Sequence, residues 1–383
     1  MKIILAPDSF KESLTAEQVC NAMKRGILAV APDTTVISIP LADGGEGTVR
    51  TLSAGGGQLL TARVSGPLGQ EVTAEYGLLR DGETAVIEMA AASGLPLVPL
   101  NKRNPLNTTT YGTGQLIRRA LDQGARRLLI GIGGSATNDG GAGMAQALGV
   151  KFFDGNEEIH DFMTGALLGR VSRIDFSGLD SRIKTTDIRV ACDVDNPLLG
   201  ARGAARIYAP QKGADAETVD LLEKYMRHFY DLVEAATTPV RDVPGAGAAG
   251  GLGAGLVAFV NAKLLSGIDA VLDACDFDRR IQQADLILTG EGKIDLQSAM
   301  GKTISGLLKR AEKASIPVIA IGGAILDGAE RLYDLGLLSM FSICDRPMTL
   351  DQAIDDADRL IEKAAQNIMR LLQMTGCPPI NKT

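Results

Sequence analysis

The order of elements at the two ends of this chain restricts its fold more than any other feature. Residues 2–6 are a short apolar run that stops at Pro7-Asp8-Ser9. An amphipathic helix is expected over about 15–30, with Val19, Met23, Ile27 and Val30 on one face. Thr15 is positioned to cap it, and Glu17 falls in its first turn. Residues 36–41 read as a second strand that runs into Ala42-Asp43-Gly44-Gly45-Glu46-Gly47. Strands joined through a helix pair in parallel, so this segment begins a parallel sheet. The C-terminal third repeats the order, with strands over 285–288, 317–321 and 340–343. Helices fall over 302–314 and 329–335, and a last one runs from about 350 to 374 until Gly376 stops it. The Pro378-Pro379 tail beyond it reads as loose.

The middle of the chain has a different period. Residues 59–65, 72–79 and 85–89 form three short strands with turns at Gly66-Pro67-Leu68-Gly69 and Asp81-Gly82, an antiparallel meander. A helix over 115–121 and strands over 127–132 and 188–192 follow. The expected fold is therefore α/β. A doubly wound, mainly parallel sheet domain (1–58 and 266–383) carries an inserted mixed α/β domain (59–265), with the active site in the cleft between them.

Charge and cysteine usage exclude several classes of function. The net charge is −7 and no Lys/Arg-rich tract occurs, so a nucleic-acid partner is not expected. The N-terminal apolar run is too short for a signal peptide, and no stretch of about 18 apolar residues suggests a membrane span. Five dispersed cysteines without a Cys-x-x-Cys, and only two histidines, argue against zinc and for reduced thiols in the cytoplasm. Any metal is expected to be a hard ion held by oxygen.

In open parallel sheets, ligands collect beyond the carboxyl ends of the strands. Five such ends here carry Asp, Gly or both. They begin at Pro7, Ala42, Gly131, Cys192 and Leu288. Consecutive glycines free backbone N–H groups to converge on an anion, and a following helix adds its dipole. Gly133, Gly134, Ser135, Thr137, Asn138 and Asp139 have that layout. So does the Gly245–Gly255 run, where close helix packing is an equal alternative.

Two familiar patterns fail. Gly245-Ala246-Gly247-Ala248-Ala249-Gly250 fits G-x-G-x-x-G, but Pro239, Arg241, Asp242 and Pro244 before it do not make a buried strand. Gly301-Lys302-Thr303 ends like a P-loop, but Leu296 stands where that pattern needs glycine. Lys302 remains free to meet a phosphate from another frame. Phosphoryl transfer needs metal ligands, a phosphate cradle, a cation and a base. Strand-end carboxylates supply the first and last, and Lys11, Lys293 and Lys302 lie beside them. Arg103, before Asn104-Pro105, suits the carboxylate of a small acid.

The segments APDSFKESLTA (6–16), PLADGGEGTV (40–49), IEMAAASG (87–94), TTTYGTG (108–114), GIGGSATNDGGAGM (131–144), ACDVDNPL (191–198), PQKGA (210–214), PGAGAAGGLG (244–253) and TGEGKID (289–295) resemble the bacterial-type glycerate kinase family nearly end to end. The resemblance implies ATP-dependent phosphorylation of D-glycerate to 2-phosphoglycerate, in the catabolism of glyoxylate or glucarate. It also implies two different α/β domains, one inserted in the other. Near His160–Arg170 the chain lacks a glycine run expected of the family, which bears on substrate preference.

Chemistry then assigns roles. Gly133–Asp139 and a turn at Gly290, Glu291, Gly292 and Lys293 are expected to hold the phosphates of ATP, with Mg²⁺ on Asp8 or Asp43. Asp193 is the expected base, with Asp43 second, and Lys11 offsets charge in transfer. Arg103, Asn104 and Ser9 are the expected glycerate contacts. A homodimer is compatible with the sequence. The competing functions are a metal-dependent phosphatase and a non-catalytic sensor of small acids.

Overall fold

The computed structural model describes residues 1–374. The expected helix stop at Gly376 and the Pro378-Pro379 tail lie outside the described residues. The strands in chain order are β1 (Lys2–Leu5), β2 (Thr35–Ser38), β3 (Gln58–Ser65), β4 (Glu71–Leu78), β5 (Thr84–Glu88), β6 (Arg127–Gly131), β7 (Lys151–Asp154), β8 (Glu157–Glu158), β9 (Arg173–Asp175), β10 (Asp187–Ala191), β11 (Lys263–Leu265), β12 (Leu286–Ile294), β13 (Val318–Ile325) and β14 (Ser339–Ser342). The described residues divide into two compact units, one of residues 1–43 and 271–374, the other of residues 44–270.

The first unit is an open sheet in the order β14-β13-β12-β1-β2, with every pair parallel. Ile3, Leu5, Leu286, Leu288, Ile319 and Ile321 bury one face of it. Helix Ala16–Val30 covers that face together with helix Ala357–Met374. The first helix starts in a capping box in which Thr15 and Gln18 satisfy each other's backbone N–H groups. The two helices approach closely at Gly26, where a Cβ would lie 2.3 Å from the Glu362 carbonyl oxygen. Arg25 bridges Asp358 and Glu362 across the same seam.

Two elements depart from the sequence expectations. The single helix expected over about 350–374 is broken into Leu350–Asp355 and Ala357–Met374. Asp356 stands at the break, its carboxylate drawn to Arg359 at 2.8 Å. The strand expected over 285–288 continues to Ile294, so Gly290–Lys293 is strand and not turn. The cause is pairing: Gly290, Glu291 and Lys293 register against Ile321, Gly322 and Ala324 of an equally extended β13.

The second unit has a six-stranded sheet, β11-β10-β6-β5-β4-β3. β3, β4 and β5 form the antiparallel meander, and β5, β6, β10 and β11 run parallel. Helix Ala216–Ala236, capped by Asp215, buries Val219, Met226, Phe229 and Tyr230. A small sheet, β8-β7-β9, completes the unit. The glycine run expected as a cradle or a packing surface serves packing. At Gly250 (φ 67°) a Cβ would sit 2.0 Å from the Thr137 carbonyl oxygen.

Candidate active site

The carboxyl ends of β1 and β12 in the first unit open into a depression of about 260 Å³. Asp8, Ser9, Lys11, Asp43, Glu291, Gly292 and Lys293 all line it, as do Asp295, Gln297, Ser298, Lys302 and Thr303. Asp8 leaves β1 and is held from both sides. Ser9 donates its backbone N–H to Oδ1 at 2.6 Å, and the Thr303 hydroxyl donates to Oδ2 at 2.8 Å. Burial raises the Asp8 pKa against these bonds, and the charge of Asp43 adds to the rise.

Glu291 is pushed further, to about 7, by burial, with Asp8 and Asp295 adding to the shift and Ser298 opposing it. Its Oε1 is buried without a hydrogen-bond partner. Helix Thr303–Lys313 begins at the same opening, with Lys302 at its N-cap. Lys302 donates to Gln297 Oε1 at 2.9 Å. Lys293 pairs with Asp295 at 2.8 Å and is largely exposed. The depression thus joins acidic oxygens, three hydroxyls, three ammonium groups and a helix N-terminus, a set suited to a phosphorylated ligand.

The remaining sequence-predicted residues belong to the second unit. Gly133 and Gly134 are exposed after β6, whereas Thr137, Asn138 and Asp139 have no exposed surface with which to meet a phosphate. Asp139 accepts from the Thr110 N–H and hydroxyl, both at 2.7 Å, and from the N–H groups of Gly141 and Gly143 at 3.2 Å. It ties its own loop to the start of helix Tyr111–Asp122. Burial still raises its pKa.

Ser135 accepts a 2.7 Å bond from Lys212, which also donates to the Thr137 carbonyl at 2.7 Å. Lys212 is fully buried, and that burial lowers its pKa to about 7. Arg103 is half-buried, and its carbonyl packs against Gly213, next to Lys212. The Asn104 side chain accepts from the Leu106 N–H, an internal turn bond. Asp193 is exposed and accepts the Gly267 N–H at 2.7 Å.

Sequence reasoning missed Thr303 and Ser298 in the first unit and Lys212 in the second. Thr303 was signalled by Gly301-Lys302, and Lys212 by its setting between Gln211 and Gly213. Neither signal says which oxygen the side chain reaches.

An open parallel sheet with acidic, hydroxyl and ammonium groups at its carboxyl edge defines an α/β protein built to handle phosphorylated ligands. The chain belongs to the glycerate kinase family, whose model, described as "Glycerate kinase family", matches residues 3–373. It is 50% identical over 368 residues to a glycerate kinase of Halalkalibacterium halodurans, covering 96% of this chain and 97% of that one. It is 49% identical over 374 residues to the glycerate 2-kinase of Escherichia coli, covering 97% and 98%. A crystal structure of a protein assigned as glycerate kinase 2 from Salmonella typhimurium superposes with a TM-score of 0.87. Its identity is 44%, with 98% of this chain and 99% of that one covered. Among the described residues, no helix is long and apolar enough to cross a membrane.

Proposed function

We propose that this protein transfers the γ-phosphoryl group of ATP to the 2-hydroxyl of D-glycerate. The observation that carries phosphoryl transfer is the depression at the ends of β1 and β12, where Lys11, Lys302 and a helix N-terminus stand beside Asp8 and Glu291. The close relatives named as glycerate kinases support the acceptor, and the Escherichia coli relative supports the 2-hydroxyl.

Mg²⁺ fits this depression. Asp8, Asp43 and the Thr303 hydroxyl offer hard oxygens, and Glu291 Oε1 is an unsatisfied buried acceptor. Among the described residues no three acidic, His or Cys side chains form a cage. An ion that takes one or two carboxylates and completes its shell with phosphates and water needs none. When bound, the ion would neutralise charge on the phosphate oxygens. Lys302 and the N–H groups of the helix that follows bind the phosphates, and Lys11 offsets charge on the moving group. The residues we assign to glycerate are Asp193, as acceptor of its hydroxyl proton, and Arg103, Asn104 and Ser9, as contacts.

The test is a phosphorus NMR time course with D-glycerate, ATP and Mg²⁺. A growing phosphomonoester coupled to the carbon-2 proton, with matching ADP, is the expected result. Coupling to the carbon-3 protons would overturn the regiochemistry, and inorganic phosphate alone would favour a phosphatase. Asp193→Asn is expected to lower turnover about 10²–10⁴-fold. Wild-type turnover in a folded variant would remove Asp193 from the base role.

A further inference from the structure

We propose that the carboxyl edge of the five-stranded sheet extends beyond the phosphate depression into a site for the nucleobase, formed by Leu296, Met300, Ile325 and Leu326. The inference rests on the reading of the depression as the seat of the nucleotide phosphates. These four apolar side chains are strongly exposed: Met300 is 68% accessible, Leu326 48%, Leu296 37% and Ile325 36%. They come from two short segments, one following β12 and one ending β13. Ile294 and Ile325 are register partners in adjacent strands, and the Leu326 N–H donates to the Ile294 carbonyl at 2.9 Å. Gly328 packs on Leu296, which ties the second segment to the first.

The same 3₁₀ turn serves both places. Leu296–Ala299 gives Gln297 and Ser298 to the lining of the depression and leaves Leu296 outside it, with Met300 just beyond the turn. The depression lies over β1 and β12, and the apolar group lies over β12 and β13, the next strand along the sheet. Neighbouring strands are about 4.8 Å apart, so a ligand with its phosphates in the depression needs to advance only one or two strand spacings to reach the apolar shelf. Inorganic phosphate has no use for such a shelf. A flat heteroaromatic base does, because it removes apolar surface from water on both partners.

The test uses calorimetric titration of the intact protein with ADP and, separately, with inorganic tripolyphosphate. The Met300→Ser/Leu326→Ser double variant alters exposed positions. It is expected to weaken ADP about tenfold while tripolyphosphate affinity changes less than about twofold. Lys302→Ala is expected to weaken both. If Lys302→Ala weakens both ligands but the double variant leaves the preference for ADP intact, the base site is wrong and the phosphate seat stands. If Lys302→Ala leaves tripolyphosphate binding unchanged, the phosphate seat fails and the base site with it. Photolabelling with 2-azido-ADP reads the location directly. Label within residues 294–301 or 324–330 supports the site, and label confined elsewhere overturns it.

Discussion

The depression of the first unit and the buried cluster of the second are built from the same parts: an aspartate, a lysine and threonine hydroxyls beside glycine-rich chain. What separates them is access to water. Asp8 is half-buried at an opening, held by Ser9 and Thr303, with Lys302 exposed nearby. Asp139 is sealed, and both its oxygens are spent on its own loop and on Thr110. Lys212 is sealed as well, held by a hydroxyl and a carbonyl, with the charge of Asp139 only partly offsetting its burial. A buried charge must be satisfied internally, so the second set holds a loop in shape. The first retains capacity to meet a ligand.

The comparison predicts a double dissociation, which is its largest effect. Asp139→Ala orphans four buried donor bonds and is expected to destabilise the fold by about 3–5 kcal/mol, read from urea unfolding. Asp8→Ala is expected to cut turnover about 10²–10³-fold with an unchanged unfolding midpoint. A stable Asp139→Ala protein, or an Asp8→Ala protein that unfolds early, would break the contrast.

Smaller but sharper are the opposite pH signatures of the two units. Glu291 binds its proton more tightly when folded, since its pKa rises from 4.5 to about 7. Its contribution is complete below about pH 4.5 and is lost as pH climbs through 7. Lys212 falls from 10.5 to about 7, so the folded protein prefers the neutral amine. The cost of burying its charge is full below 7 and is relieved between 7 and 10.5, where the unfolded chain still binds the proton. Glu291→Gln is therefore expected to flatten the stability profile on the acid side of 7, and Lys212→Met on the alkaline side. Melting curves from pH 5 to 10 check both, and a shared slope change would contradict the assignment.

The smallest effect concerns Lys293, 59% exposed and paired with Asp295. Lys293→Ala is expected to leave the unfolding midpoint unchanged, because an exposed ion pair is screened by water. A loss comparable to that of Lys212→Met would mean that burial is not what distinguishes the two lysines.

Much of the first unit was legible because its strands are short apolar runs stopped by Pro7, Asp43 or Gly290, and its helices carry period and cap together. The extension of β12 was not legible, since Gly290-Glu291-Gly292-Lys293 has turn chemistry and becomes strand only because β13 runs alongside. Helix Ala216–Ala236 went unread although Asp215 and its apolar period announce it. The candidate site was half legible. Residue types and strand ends located Asp8, Asp43, Glu291 and Lys293. The burial that separates Asp139 from Asp8 comes from packing by Thr110 and the Gly250 backbone, far away in sequence.

The order of strands in the first sheet also has a consequence for how the protein is made. β1 lies between β2, its near neighbour in the chain, and β12, whose pairing begins only at Leu286. A ribosome adding about 5–20 residues per second needs roughly 14–56 s to pass from Leu5 to Leu286. Throughout that interval the unpaired side of Ile3, Ile4 and Leu5 is an exposed strand edge of the kind that invites aggregation. The intervening residues 44–270 form one continuous stretch whose sheet needs no strand from either flank, and they can finish folding while the first unit still waits for its central partner.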